Sequence, residues 1–210
     1  CDHILEDWQR VVSDSGWQGL QTLWVLPLLS ADDADRNRRL SQAVALLRFM
    51  ESSNAGMQAS LSMDTNGIWM HLLKLALAIY TGQWPLASRL LNYAPLRFIA
   101  QQTRNAAGAP PALADHIAQA NAWVLLARLS ALAGLDLACY RGVHGESIQE
   151  LLAEIERTGS DTPEWQALPE HHRCWLAAVG ALLQGDSAPP VPLEAAHLMP
   201  LGWQLLTETV

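Results

Sequence analysis

Two short segments hold most of the side chains that could do chemistry. Residues 64–71, DTNGIWMH, offer Thr65, Asn66, Trp69 and His71. Residues 116–123, HIAQANAW, offer His116, Gln119, Asn121 and Trp123. An imidazole moves protons near neutral pH, and amides give and accept hydrogen bonds. An indole near a helix start can stack on a sugar face, so two such helices could frame one open groove for a glycan. Arg104 and Arg141 add guanidinium groups, which pair readily with anions. Each candidate has a plainer role beside it. Core packing competes for Trp69 and Trp123, and is favoured for Trp8, Trp24 and Trp175. Asn66 could be a helix-start turn residue, and His116 a surface residue following Asp115. His171, His172 and Cys174 stand close together, but adjacent side chains diverge on a helix and no second ligand cluster accompanies them, so capping or surface roles are expected. There is no GxSxG, no P-loop and no Gly-rich dinucleotide fingerprint.

The elements that must carry these residues read as helices almost throughout. The first spans about 2–12. SDSG interrupts it, and Gly16 begins a second helix ending near Pro27. Acidic residues 32–35 open a third, running to Met50, whose Arg36, Arg38 and Arg39 are expected to face solvent or pair with those acids. SSNAGMQAS, residues 52–60, reads as a loop. Asp64 or Thr65 then caps a helix over 67–80. Pro85 suits the first turn of the next, where its missing N–H costs nothing. Residues 105–111 form a crossing, 113–133 the longest helix with Gly134 as its stop, and 146–157 a short amphipathic helix. A brief turn follows from Pro163, then helices over 172–183 and 201–207, with SAPPVP as a linker or rim between them. Antiparallel helices joined by short breaks make a bundle, a solenoid or a toroid, and the lack of a fixed repeat period speaks against tetratricopeptide-type arrays. Helix pairs with groove-facing Trp favour the toroid.

Composition narrows the classes. The 210 residues suit one domain, 1–210, and half are hydrophobic, Leu and Ala above all. That bias favours helix over sheet. A net charge of -8 leaves no basic footprint for nucleic acid. It also argues mildly against polyanions unless the few Arg residues cluster. No charge-free apolar run is long enough to span a membrane. Cys1 suits a lipidated N-terminus of an exported chain, which would give a membrane link through that lipid alone, or merely the point at which this sequence starts. Cys139 and Cys174 could pair in an oxidising compartment or remain separate thiols, and three cysteines at this spacing fit no zinc pattern.

The stretch from Met63 to Leu137 resembles the alginate lyase family of polysaccharide lyases. That family carries an Asn-Asn-His motif a few residues before a Trp, and DTNGIW at 64–69 occupies that place. GQW at 82–84, LASRLL, FIAQQ at 98–102, the loop NAAGAPPALA at 105–114 and AWVLLARLSALAGLDL follow in the family's order, and CDHILEDW is similar to its early segment. About a third of the chain matches well. The resemblance implies an all-α, incomplete (α/α) toroid of antiparallel helix pairs. It further implies an acidic, uronate-containing polysaccharide as partner, a periplasmic or secreted location, and β-elimination without metal or cofactor.

β-Elimination needs a group that neutralises the C6 carboxylate, a base for the C5 proton and an acid for the departing O4. The resemblance assigns these to Asn and His of the motif, an Arg, and a Tyr on the second motif helix. Here Thr65 and Asn66 stand where the second Asn and the His belong, or, with a one-residue gap, Asn66 keeps the Asn role; either way that imidazole is missing. Val124 and Leu125 follow Trp123 where the Tyr is expected, and Gln119 and Asn121 precede it where the Arg is expected. Three expectations result. The foremost is a glycan-binding relative with weak or no lyase activity, using Thr65, Trp69, Gln119, Asn121, Trp123, Arg104 and Arg141. The second is a rearranged lyase with Asn66, His71 or His116 as catalytic groups. The third is a helical scaffold for protein interactions.

Overall fold

A computed structural model describes residues 2–20, 36–107, 112–159 and 162–167. Among them every regular element is a helix: α1 (Asp2–Leu20), α2 (Arg36–Ser52), α3 (Asn54–Leu61), α4 (Thr65–Tyr80), α5 (Trp84–Ala107), α6 (Leu113–Leu132), α7 (Ile148–Gly159) and α8 (Pro163–Ala167). The helices predicted over 172–183 and 201–207, the stretch to Pro27 and the acidic turn at 32–35 lie outside the described residues. The chain packs as two compact units, residues 1–97 and 98–210. α5 gives its first part to one and its last part to the other.

In the first unit, α4 is the central helix. Ile68 to Ala78 are buried apart from Lys74, which is what an apolar helix without a polar face requires. α1, α2 and α3 pack against it. Trp8 and Trp17 of α1 lie against Phe49 of α2, with ring centroids 5.6 and 6.2 Å apart. The break predicted at SDSG is a kink: Gly16 has φ 63° and the helix resumes to Leu20. Only glycine adopts that backbone without strain, and a Cβ there would also stand 2.6 Å from Oδ1 of Asn66. Arg39 is buried at 8% exposure, which excludes the solvent position expected for it, while the acids offered as its alternative partners lie outside the described residues.

The segment expected to be a loop at 52–60 is helix α3. Its Ser and Asn residues serve as boundary, since Ser53 Oγ accepts the Gly56 N–H at 3.0 Å. The C-terminal carbonyls of α3 are met from far along the chain. Arg97 of α5 donates to Ser60 O at 3.1 Å, to Ala59 O at 3.4 Å and to Ser62 O. A cation is well placed at a helix C-terminus, where unpaired carbonyls gather negative charge. Asp64 then caps α4, accepting the Gly67 N–H at 3.0 Å. α4 closes at Gly82, φ 70°, with Gln83 N–H donating to Ala78 O at 2.8 Å.

In the second unit, α6 is buried over nearly its whole length and α7 packs on it through Ile148, Leu151 and Ile155. Gly134, φ 81°, ends α6 as the sequence indicates. Ser147 caps α7, its Oγ accepting the Glu150 N–H at 3.1 Å.

Gly67 is hemmed in by Ser62 O and the Arg97 guanidinium, so an added Cβ would collide with both. Gly67→Ala is therefore expected to destabilise the first unit by about 2 kcal/mol. Chemical denaturation that finds no loss would show that the α3–α4 turn is not tightly held.

Candidate functional site

The first segment with chemical potential lies on α4, and its side chains divide between surface and interior. Asn66 is exposed beside the Gly16 kink, and Thr65 is half-buried. Trp69 is 1% exposed and His71 3% exposed. A sugar can stack only on an uncovered ring, so the stacking role expected for Trp69 is corrected to core packing. His71 Nε2 lies 3.1 Å from Leu90 O, so the imidazole is a neutral donor to that carbonyl. Burial first, then the charge of Arg97, push its pKa down to about 3, although the Leu90 bond acts the other way. A covered, neutral imidazole engaged with the main chain does not suit the catalytic role expected of it.

Two neighbours of His71 are not picked out by sequence reasoning. Tyr93 stands with its ring centroid 6.3 Å from His71, and Arg97 is 2% exposed. Together with Asn66 they supply the residue types that a uronate lyase needs, and the spacing of α4 against α5 brings them into one unit. The chemistry is nonetheless blocked. The Arg97 donors go to main-chain carbonyls. Burial lowers its pKa, with Tyr93 and Asp64 opposing. No signal local to residue 97 distinguishes such a structural Arg from one that greets a carboxylate.

The second segment, on α6, faces inward. Trp123 is fully buried, sits edge-on to Phe98 with centroids 4.9 Å apart, and donates its indole N–H to Gln101 Oε1 at 2.5 Å. Gln119 accepts from Asn105 Nδ2 at 3.2 Å. Gln119 and Asn121 are 3% and 4% exposed. Like Trp69, these three are corrected from glycan-contacting to interior positions. His116 is buried, which lowers its pKa, with Glu154 and Asp115 pulling the other way. Arg104 lies on α5, and its side chain falls outside the described residues.

Open space lies elsewhere in this unit. A cleft of about 620 Å³ is lined by Gln102 and Thr103 of α5, by Arg141, His144, Gly145, Glu146 and Ser147 of the loop before α7, and by Glu150, Leu151 and Glu154 of α7. Its size is that of ordinary small-ligand pockets. The loop is fixed by its own bonds: Gly142 N–H donates to Glu146 O at 2.8 Å, and His144 N–H to Glu146 Oε2 at 3.0 Å. Glu150 and Glu154 stand one helical turn apart, which places both on one face of α7. Of the sequence-predicted residues, Arg141 lines this cleft, and His116 lies close enough to Glu154 to feel its charge. The amphipathic pattern of 146–157 is visible in the sequence, but the cleft along its polar side is not. Hydroxyl, amide, imidazole and carboxylate groups here can hydrogen-bond a polyol. Among the described residues, no three His, Cys, Asp or Glu side chains gather to hold a metal, and no helix is long and apolar enough to cross a membrane. His171, His172, Cys174 and Cys1 lie outside the described residues, while Cys139 is an exposed free thiol.

No family model and no curated protein matches the chain. Among solved structures it is similar to an alginate lyase from Bacteroides ovatus, with a TM-score of 0.63 and 15% sequence identity. The likeness covers 90% of this chain and 50% of that one, so the chain spans about half the length of the enzyme it matches. At this identity the likeness concerns the fold, and it bears out the all-α toroid class read from the sequence.

His71 gives a pH prediction. Its folded pKa, about 3, lies below the ordinary 6.5. The unfolded chain therefore takes up a proton that the folded chain refuses. Its contribution to stability is complete above pH 6.5 and declines as pH falls towards 3, at about 1.4 kcal/mol per pH unit. His71→Gln removes that proton while retaining a donor. Urea unfolding followed from pH 7 to pH 4 should show a pH slope shallower by about one proton in the variant; equal slopes would contradict the assignment.

Proposed function

We propose that this chain is a carbohydrate-binding relative of the alginate-lyase scaffold with little or no β-elimination activity, and that its saccharide site is the cleft beside α7. One observation carries the reading: a chain that shares its fold with an alginate lyase has an open cleft of polar lining at residues 102–154 of its second unit, whereas Trp69, His71 and Trp123 are buried. The uronate class remains the ligand that the resemblance implies, with Arg141 as the group to meet its carboxylate. Export to the periplasm or beyond, with or without a lipid on Cys1, belongs to the same proposal.

The chemistry explains the weak elimination. Abstraction of the C5 proton demands a cation on the C6 carboxylate and a base and acid on either side of the ring. His71 and Arg97 are committed to carbonyl oxygens. In the cleft, Arg141 faces three glutamates that would repel the same substrate.

Two measurements test this. Elimination produces an unsaturated uronate that absorbs in the ultraviolet, and alginate incubated with the protein should give no increase above the enzyme-free control. Amide chemical shifts at 141–154 should move on addition of oligosaccharides, while those of α4 stay in place. Rapid absorbance growth would overturn the non-catalytic part. Silence at 141–154 with acidic, neutral and amine-bearing oligosaccharides alike would overturn the binding part.

A further inference from the structure

Stacking on a sugar needs an indole that the fold leaves uncovered, and Trp84 is one. It is 61% exposed at the start of α5, whereas Trp8, Trp17, Trp69 and Trp123 are at 2% or less. Ser88 and Asn92 follow it at intervals of four residues, which is one face of a helix, and both are exposed. Arg89 is exposed beside them. The row from Trp84 to Asn92 is about 12 Å long. The helix beneath it is fixed. Leu86, Ala87, Leu90 and Ala94 are buried, and Leu90 O is bonded to His71.

The charge around this row runs against that of the chain. The net charge is -8, yet residues 65–114 contain neither Asp nor Glu and carry Lys74, Arg89, Arg97 and Arg104. Arg97 is buried against the end of α3. Lys74 and Arg89 meet at Glu51 of α2, whose Oε1 lies 3.3 Å from Lys74 Nζ and 4.0 Å from Arg89 Nη2. One carboxylate there answers two cations. The Lys74 side chain is 11% exposed and that of Arg89 73%, so the guanidinium is the cation that an incoming anion meets. An exposed ion pair at 4.0 Å is weak, and a ligand carboxylate can take its place.

An indole, a guanidinium, a hydroxyl and an amide in one exposed row match the parts of an acidic sugar: its apolar ring face, its carboxylate and its hydroxyls. We propose that Trp84, Ser88, Arg89 and Asn92 form a surface site for a uronate polysaccharide, with Trp84 stacked on a sugar ring and Arg89 paired with a carboxylate. The glycan class rests on the reading given above, but the site shares no residue with the cleft at 102–154 and lies in the first unit. An open helix face encloses nothing, so it takes the middle of a long chain as well as its end.

NMR titration of the whole chain with a mannuronate oligomer tests this, beside a glucose oligomer of equal length. Amides at 84–92 should move with mannuronate and far less with glucose. Read at those amides, Trp84→Ala should weaken mannuronate binding about tenfold and Arg89→Gln about threefold. Both side chains are exposed, so thermal unfolding should stay the same. Arg10→Gln, an equal loss of charge on α1, should leave binding alone. Added salt should weaken the unaltered chain more than Arg89→Gln. Amides at 84–92 that stay still while those at 141–154 move would remove this surface and leave the cleft standing. Movement at 84–92 alone would keep this surface and remove the cleft. An equal response to the two oligomers would overturn the acidic preference. Self-association that Trp84→Ala abolishes would give the indole to a second copy of the chain and overturn its glycan role.

Discussion

The first unit depends on a charged group placed where charge is ordinarily expensive. The Arg97 guanidinium is almost fully enclosed, and it is tolerable there because several of its N–H groups meet main-chain oxygens. Those oxygens are the ones that the end of α3 and the turn into α4 leave without partners. A single side chain thus answers two demands, its own need for acceptors and the helix end's need for donors. The positions of Gly67, the Asp64 cap and the start of α4 all follow from that junction. The neutrality of His71 follows first from its burial and then from the charge of Arg97.

The same arrangement separates scaffold from chemistry. The residue types of a uronate lyase, Asn, His, Tyr and Arg, occur together in the first unit, yet the polar atoms of His71 and Arg97 are turned to structural use. The Arg97 guanidinium, almost fully enclosed, gives three bonds to main-chain carbonyls, and the buried His71 imidazole gives its N–H to Leu90 O. In the second unit the Gln101 amide oxygen accepts the Trp123 indole N–H, and Asn105 donates to Gln119, so α5 and α6 are linked by polar side chains. Polar groups that look outward in a one-dimensional reading are here the glue of an interior.

Local chemistry is the legible part. Asp64 as cap, Gly134 as stop, Pro85 at the opening of α5 and the turn at Gly16 each depend on a few adjacent residues, and each appears as expected. The all-helical class follows from Leu, Ala and spacing. Non-local partners are not legible. SSNAGMQAS has loop composition, and it holds a helix because Ser53 caps one end and an Arg 35 residues beyond Ser62 satisfies the other. Trp69 sits early in α4 and Trp123 midway along α6, and both are enclosed by elements that only tertiary packing supplies. Arg141 stands out by its charge and does line the cleft. The glutamates around it read as the solvated side of a helix, because nothing in sequence shows that Gln102 and Thr103 close the other side.

One consequence of the Asp64 cap concerns chemical ageing. Asn66 is followed by Gly67, the pair most prone to succinimide formation, in which the glycine amide nitrogen attacks the asparagine side-chain carbonyl. In the folded chain that nitrogen donates to Asp64 Oδ1 and is buried in the opening turn of α4. The attacking atom is occupied and held in helical geometry. Deamidation at this site therefore belongs to the unfolded chain, and an isoaspartate there records past unfolding.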